Sequence, residues 1–259
     1  MTEFKVFAEK IAREAGALLM ERLTRRHHIH YKGAIDLVTE ADKMSEDLMM
    51  AAISRRYPDH GILSEESAAK NEQASTRWII DPLDGTTNFA HGFPFFCVSI
   101  ALEQEGQVVV AVIYDPTRDD LFFAQRSGGA YLNGRKLQVS VLEDLSTGLL
   151  ATGFPYDIRV NPDNNLNYFN AMATKVQAIR RAGAAALDLA YLAASRFDGF
   201  WELRLKPWDT AAGCLLVEEA GGRVSDMAGL PWRLNSQGLV ASNGLIHQQM
   251  LDVLRKAES

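Results

Sequence analysis

Two aspartates stand three residues apart at the end of an apolar run, in Trp78-Ile79-Ile80-Asp81-Pro82-Leu83-Asp84-Gly85-Thr86-Thr87-Asn88. Carboxylates this close repel one another and raise a pKa unless a cation neutralises them. Pro82 removes a ladder donor and restricts Asp81 to extended conformations. The segment reads as a strand that stops abruptly and aims two acids at one point. Gly85 permits close backbone approach, and Thr86 and Thr87 suit a helix N-cap. Acids for a hard metal beside free amides for phosphate are the layout of a metal-dependent phosphoryl-transfer site.

Three further segments carry acids in comparable settings. Leu63-Ser64-Glu65-Glu66-Ser67 again places acids at the end of an apolar strand, although alone it reads as a solvated turn. Pro207-Trp208-Asp209-Thr210-Ala211-Ala212-Gly213 makes Asp209 a good helix N-cap, and Trp208 with the small apolar residues after it suggests a buried helix start. Such an acid can cap a helix and bind a metal together. In Asp36-Leu37-Val38-Thr39-Glu40-Ala41-Asp42 the first-turn position of Asp42 complements the helix dipole, and Thr39 is the better cap.

In order and spacing these four segments resemble the inositol monophosphatase family, a branch of the lithium-sensitive, magnesium-dependent phosphatases. The run from Asp81 to Asn88 matches the family's first signature, and Trp208-Asp209 through Glu219-Ala220-Gly221-Gly222 matches its second. The resemblance spans nearly the whole chain. It looks closest to the bacterial members, which share runs like Ala151-Thr152-Gly153-Phe154-Pro155 and Ala185-Ala186-Leu187-Asp188-Leu189-Ala190.

The resemblance implies a set of roles. Glu65, Asp81 and the carbonyl of Leu83 would hold one Mg²⁺. Asp81, Asp84 and Asp209 would hold a second, and a weaker third would rest mainly on Glu65. Thr86, assisted by Asp42, would orient the attacking water, and the amides of Gly85 and Thr86 would receive the phosphate. This agrees with the chemistry of Mg²⁺, a hard ion that accepts carboxylates and phosphate oxygens. On the sugar side, Gly183, Ala184, Ala185 and Glu202 would contact substrate hydroxyls. Many relatives have Thr or Ser at the position of Ala184, so one hydroxyl contact is absent here. Lys32 and Gly33 fall where the family has a loop near the third metal, but that loop is a residue shorter than in animal relatives, so Lys32 receives no role.

The implied activity is Mg²⁺-dependent hydrolysis of inositol monophosphates and similar sugar or polyol phosphates. The same chemistry on fructose 1,6-bisphosphate, histidinol phosphate or 3′-phosphoadenosine nucleotides is an alternative. A bisphosphate needs a second cationic subsite, for which Arg204 and Lys206 are candidates. A third reading is a regulatory protein, because some bacterial relatives associate with the transcription machinery. The resemblance also implies sensitivity to Li⁺ and a homodimer, to which the small apolar residues and arginines of residues 168–200 are suited. Arg180-Arg181 could serve a second phosphate or a partner subunit. Asp188 reads either as a helix-surface acid or as a buried cap.

These residues need a scaffold, and the patterning supplies one. Phe4, Phe7, Ala8, Ile11, Ala12, Ala15, Leu18 and Leu19 recur at helical spacing. Residues 30–38 read as a short hairpin or loop, and Thr39 opens a helix that Pro58 ends. A strand over 61–64, an exposed loop over 68–76 and a strand over 77–81 follow. Strand-like runs at 95–102, 108–114, 121–125 and 130–132, separated by turn residues, read as antiparallel β. Helices are expected at 168–173, 184–194, 209–220 and 245–256, with strands at 199–202, 224 and 239–241. Helices around β layers give an α/β (α+β) layered sandwich. The resemblance makes it the αβαβα sandwich of the inositol monophosphatase and fructose-1,6-bisphosphatase type, one domain over 1–259 with approximate halves 1–145 and 146–259.

Composition bounds the remainder. The chain has 259 residues, 47% hydrophobic and 23% charged, and a net charge of −6, which argues mildly against a nucleic-acid surface. Cys97 and Cys214 sit in apolar contexts and read as buried free thiols in a reducing cytosol. No signal peptide or membrane-spanning run is legible, so a cytoplasmic protein is expected. His27, His28 and His30 read as a solvated helix end, with no carboxylate placed to complete a metal site. Glu218 and Glu219 are expected to face solvent.

Overall fold

Apolar alternation from Ile79 to Ala124 produces one large sheet with both faces buried. A computed structural model describes residues 2–23, 29–31 and 37–257. His27, His28, Lys32, Gly33 and Asp36 lie outside the described residues. Helix α1 (Thr2–Leu23) leads to a two-stranded antiparallel pair, β1 (Ile29–Tyr31) and β2 (Leu37–Thr39), and then to α2 (Glu40–Arg56). Thr39 directly precedes α2. Strands β3 (Gly61–Ser64) and β4 (Thr76–Asp84) pair in parallel, and the short helix α3 (Thr86–Ala90) follows. Antiparallel β5 (Cys97–Gln104), β6 (Gln107–Asp115), β7 (Asp120–Gln125), β8 (Gly129–Leu132) and β9 (Arg135–Lys136) complete a seven-stranded sheet in chain order.

The second part alternates strands and helices. Its elements are β10 (Leu149–Thr152), α4 (Leu166–Ala173), β11 (Ala178–Arg180), α5 (Ala185–Ala193), β12 (Gly199–Leu203), α6 (Pro207–Glu219), β13 (Arg223–Ser225), β14 (Gly238–Ser242) and α7 (His247–Lys256). The strands form a mixed five-stranded sheet ordered β11-β10-β12-β14-β13. The three-residue β11 has no pattern of its own to announce it.

Three apolar clusters define the layers. Helices α1 and α2 cover one face of the large sheet, with Ile11, Leu19, Met49, Trp78 and Ile100 buried between them. Helices α5 and α6 fill the space between the sheets, where Ala186, Leu189, Ala212 and Leu215 meet Ile79, Ala111 and Phe200. Gly213 lets α5 and α6 approach closely: a Cβ there would stand 2.6 Å from the Leu189 side chain. Helices α4 and α7 cover the outer face of the small sheet around Trp201, Val240 and Met250. The result is the expected αβαβα sandwich. Trp78 and Trp201 are its largest fully buried side chains, and truncating either to Ala would cost about 3–5 kcal/mol.

Two local expectations are corrected. The strand over 77–81 does not stop at Asp81; β4 continues through Pro82 to Asp84, with a register shift against β5 between Asp81 and Asp84. The irregularity accommodates the proline while the chain stays extended. Neither Thr86 nor Thr87 caps α3. That position belongs to Gly85, at φ 94°, and Thr86 becomes the first helical residue. A Cβ on Gly85 would also press on the Phe95 carbonyl oxygen at 3.0 Å, so both conformation and space call for glycine.

Candidate active site

One face of α2 organises both acid-bearing segments. Asp42, Ser45 and Glu46 lie three and four residues apart, so they project from the same side of the helix, and all three are buried. Thr86 Oγ1 donates to Asp42 Oδ1 at 3.0 Å and also faces the Leu83 carbonyl oxygen at 3.1 Å. Its single hydrogen can serve only one acceptor at a time. Ser45 donates to the Pro82 carbonyl at 2.9 Å, fixing the irregular end of β4. Glu46 accepts from the backbone of Glu66 and Ser67, each at 3.1 Å, and from the hydroxyls of Ser64 and Ser67. Glu46 thereby shapes the bend that carries Glu65.

The end of β4 is fixed from the other side as well. Asp81 accepts the Leu83 N–H at 2.9 Å, across Pro82. Asp84 accepts the Ala186 N–H at 2.8 Å, and the Cys97 thiol approaches the same oxygen at 3.6 Å. Ala184 precedes α5 without a capping side chain, so Asp84 satisfies an otherwise open helix amide from a distant strand. Asn88 donates to the carbonyls of Phe95 and Ala182 at 2.7 and 2.8 Å, tying α3 to the segment before α5.

These elements enclose a cavity of about 470 Å³. Glu65, Asp81, Leu83, Asp84, Gly85, Thr86, Gly183, Ala184, Ala185, Glu202 and Asp209 all line it. Asp42 stands behind Thr86, completely buried. Every sequence-predicted site residue is therefore in or directly behind one cavity. Asp209 is corrected in one respect: it is the third helical residue of α6, after Lys206 as cap and Pro207, and its carboxylate accepts the Lys206 N–H at 2.7 Å.

Charge is poorly compensated here. Burial, then repulsion from Glu65, Asp84 and Asp209, holds the Asp81 carboxyl well above its ordinary range. Burial pushes Asp84 up to about 6, against the hydrogen bond from Ala186. Burial and Asp84 push Asp209 up to about 7. Burial and Asp209 push Glu202 up to about 8. Among the described residues no three His, Cys, Asp or Glu side chains are gathered closely enough to grip an ion as they stand. They face a common space, and their donors are all oxygen, the chemistry of a hard divalent cation. The donor set therefore fits Mg²⁺.

The cavity holds further polar groups besides these acids. Asp188 is buried and lines the cavity from the first turn of α5, which removes the helix-surface reading. Arg181 lines the same space. Gly153 lies flat against Glu202, whose carboxylate a Cβ at that position would strike. Arg204, at φ 61°, pairs with Asp157 at 2.7 Å on the rim. Lys206 also lines the rim. Away from the cavity, Cys97 and Cys214 are buried free thiols as expected. Glu218 is exposed but pairs with Arg126 at 2.6 Å. Glu219, expected in solvent, instead accepts the amides of Ser127 and Gly129 at 2.8 Å each and holds the turn between β7 and β8.

The comparisons with known proteins agree with this geometry. The model of the Inositol monophosphatase family matches residues 1–259. The chain is 46% identical over 255 residues to the Nus factor SuhB of Pseudomonas aeruginosa, covering 96% of this chain and 94% of that one. It is 46% identical over 229 residues to the Inositol-1-monophosphatase of Mesorhizobium japonicum, covering 88% and 86%. Among solved structures, the extragenic suppressor protein suhB from Bartonella henselae superposes with a TM-score of 0.93 at 40% identity, over 98% of this chain and 99% of that one.

Proposed function

Because the chain belongs to the inositol monophosphatase family, we propose that it is a Mg²⁺-dependent phosphatase of inositol monophosphates and related small sugar or polyol phosphates. The observation that carries this reading is one cavity lined by Glu65, Asp81, Asp84 and Asp209, with the Thr86–Asp42 hydrogen bond at its wall. Glu65, Asp81 and the Leu83 carbonyl would hold one Mg²⁺, Asp81, Asp84 and Asp209 a second, and Glu65 a weaker third. When bound, such ions activate water and stabilise charge on the leaving oxygen.

The chain's own residues do the rest. Thr86 donates its hydrogen to Asp42, which leaves the Oγ1 lone pairs facing the cavity to accept a hydrogen from the attacking water. Asp42 is thus an orienting residue, fixing which way the hydroxyl points. Gly85 and Thr86 offer backbone amides to the phosphate. Glu202 faces the opposite wall, where a polyol would lie, beside Gly183, Ala184 and Ala185.

Of the cations considered for a second phosphate, Arg204 is engaged by Asp157, while Arg181 and Lys206 line the cavity. Assaying the purified protein against inositol 1-phosphate, fructose 1,6-bisphosphate, histidinol phosphate and 3′-phosphoadenosine nucleotides, with and without Mg²⁺, tests the reading. Activity independent of Mg²⁺, or strongest on a bisphosphate, would overturn it. We expect inhibition by millimolar Li⁺, a cytoplasmic location and a homodimer by light scattering.

The name Nus factor on several relatives supports a second reading, a regulatory partner in the transcription machinery. It is compatible with the first. A variant without phosphatase activity that still binds such a partner would establish it as separate.

A further inference from the structure

Asp188 is unlike the other acids of the cavity. It is 1% exposed, and its Oδ1 has no hydrogen-bond partner. A buried carboxylate oxygen without a partner forfeits its hydration and receives nothing in return, so natural folds rarely retain one without a use. Helix capping is not that use. The amide of Ala186 is taken by Asp84, and the Asp188 N–H makes the ordinary helical bond to Ala184. Asp188 nevertheless lines the cavity, on the wall it shares with Glu202 and Arg181.

That wall has a definite character. Asp188 lies within electrostatic reach of Glu202 and of Asp84. Arg181 offsets part of the charge of both Asp188 and Glu202. A carboxyl group accepts from a hydroxyl and, when protonated, also donates to one, so two carboxyl groups lining one cavity suit adjacent hydroxyls on one ring. Gly153 leaves room for the Glu202 carboxylate, which a Cβ at that position would strike.

We propose that Asp188 is a further specificity-determining residue, whose carboxyl group reads a substrate hydroxyl next to the one read by Glu202. The ligand class is a phosphorylated cyclic polyol with neighbouring hydroxyls. This assignment rests on the phosphatase reading above.

The test compares the wild-type protein, Asp188→Asn and Asp188→Ser at saturating Mg²⁺. Inositol 1-phosphate, its ring-deoxy analogues and p-nitrophenyl phosphate are the substrates, with melting curves to identify any variant that fails to fold. The expected result is a fall of about tenfold to a hundredfold in the ratio of kcat/KM for inositol 1-phosphate over the aryl phosphate. Most of it should be in KM, and one deoxy analogue should be insensitive to the substitution. A folded variant that keeps the wild-type ratio overturns the role of Asp188 and leaves the substrate reading intact. Equal losses on both substrates make Asp188 a structural group and also overturn it. A wild-type protein with no preference for inositol 1-phosphate overturns the substrate reading and the proposal with it.

Discussion

The Asp84 carboxylate accepts the backbone N–H of Ala186 at 2.8 Å, across 102 residues of sequence. One acid of the cluster therefore caps the helix that carries the polyol-facing residues. The last residue of β4 and the first turn of α5 cannot move independently, and the geometry of the acid cluster is tied to that of the opposite wall. A single oxygen links the part of the site that would hold metal to the part that would choose substrate.

Asp84→Asn should lower turnover at saturating Mg²⁺ by roughly 10²–10³-fold, the usual cost of removing a preorganised charged group from a reacting centre. The fold should survive. The Asn carbonyl oxygen can still accept from Ala186, and one repelling charge is removed from a cluster that already holds Asp84 up to about 6. Hydrolysis rates and melting curves of the metal-free protein check this. A near-normal rate would sink the ligand assignment.

Thr86→Ala should cost about 10²–10⁴-fold in kcat, because it removes the hydroxyl that would orient water. Thr86→Ser should restore most of it, since Oγ and the bond to Asp42 are kept. Asp42→Asn should fall between them, because an amide oxygen still accepts from Thr86 but does so more weakly. If Ser proved no better than Ala, the hydroxyl would be a packing group and the orientation argument would fail.

Glu46 touches no substrate, yet it should tune metal binding. It holds the bend of residues 64–67 through Ser64, Glu66 and Ser67. Glu46→Gln replaces two acceptors with one and should loosen Glu65. Substitutions behind metal ligands typically cost about 10–100-fold in metal affinity. The half-saturating Mg²⁺ concentration should rise, with smaller losses once Mg²⁺ is saturating. An unchanged Mg²⁺ requirement with a lowered melting temperature would assign Glu46 to stability alone.

How much of this was legible depends on the range of the forces involved. The strand at Gly61–Ser64 and the burial of Asp81 and Asp84 follow from local apolar runs, so they are readable from pattern. The continuation of β4 past Pro82 is not. A proline rule is local, whereas pairing with Cys97 across a register shift is tertiary. Asp209 is not the cap of α6, and Pro207 carries the correct signal, proline being favoured at the first helical position. Glu46 and Ser45 lie on a buried polar face of α2, which helical periodicity assigns to solvent. Arg204 shows no trace of its left-handed backbone in residue type.

The pH dependence of the metal-free protein has a predictable sign. Asp84, Asp209 and Glu202 have folded-state values of about 6, 7 and 8, above their ordinary values of 3.8, 3.8 and 4.5. Between those limits the folded state holds more protons than the unfolded state, so stability falls as pH rises. His247 acts oppositely. Its value is lowered to about 4 by burial, so the unfolded state binds the extra proton below about 6.5 and stability falls toward acid. From pH 6.5 to 8 Asp209 and Glu202 still titrate, while His247 no longer opposes them. The melting temperature in chelator should therefore drop across that window, and Mg²⁺ should flatten the drop. A melting temperature that rises over the same window would contradict the buried-acid account.

Glu202 should govern which substrate is chosen more than whether phosphate is cleaved. It lies on β12 against Gly153, opposite the acid cluster. Burial and Asp209 hold its carboxyl up to about 8, so near neutrality it can donate a hydrogen bond as well as accept one. Losing a hydrogen bond to a substrate hydroxyl and leaving its partner unsatisfied costs about 1–3 kcal/mol, or roughly fivefold to a hundredfold in kcat/KM. Glu202→Gln should therefore weaken hydrolysis of inositol 1-phosphate by that factor and of an aryl phosphate by much less. The amide cannot change protonation, so the difference between wild type and variant should itself vary across pH 7 to 9. Equal losses on both substrates, with no pH dependence, would mean that Glu202 only braces the segment ahead of Trp208.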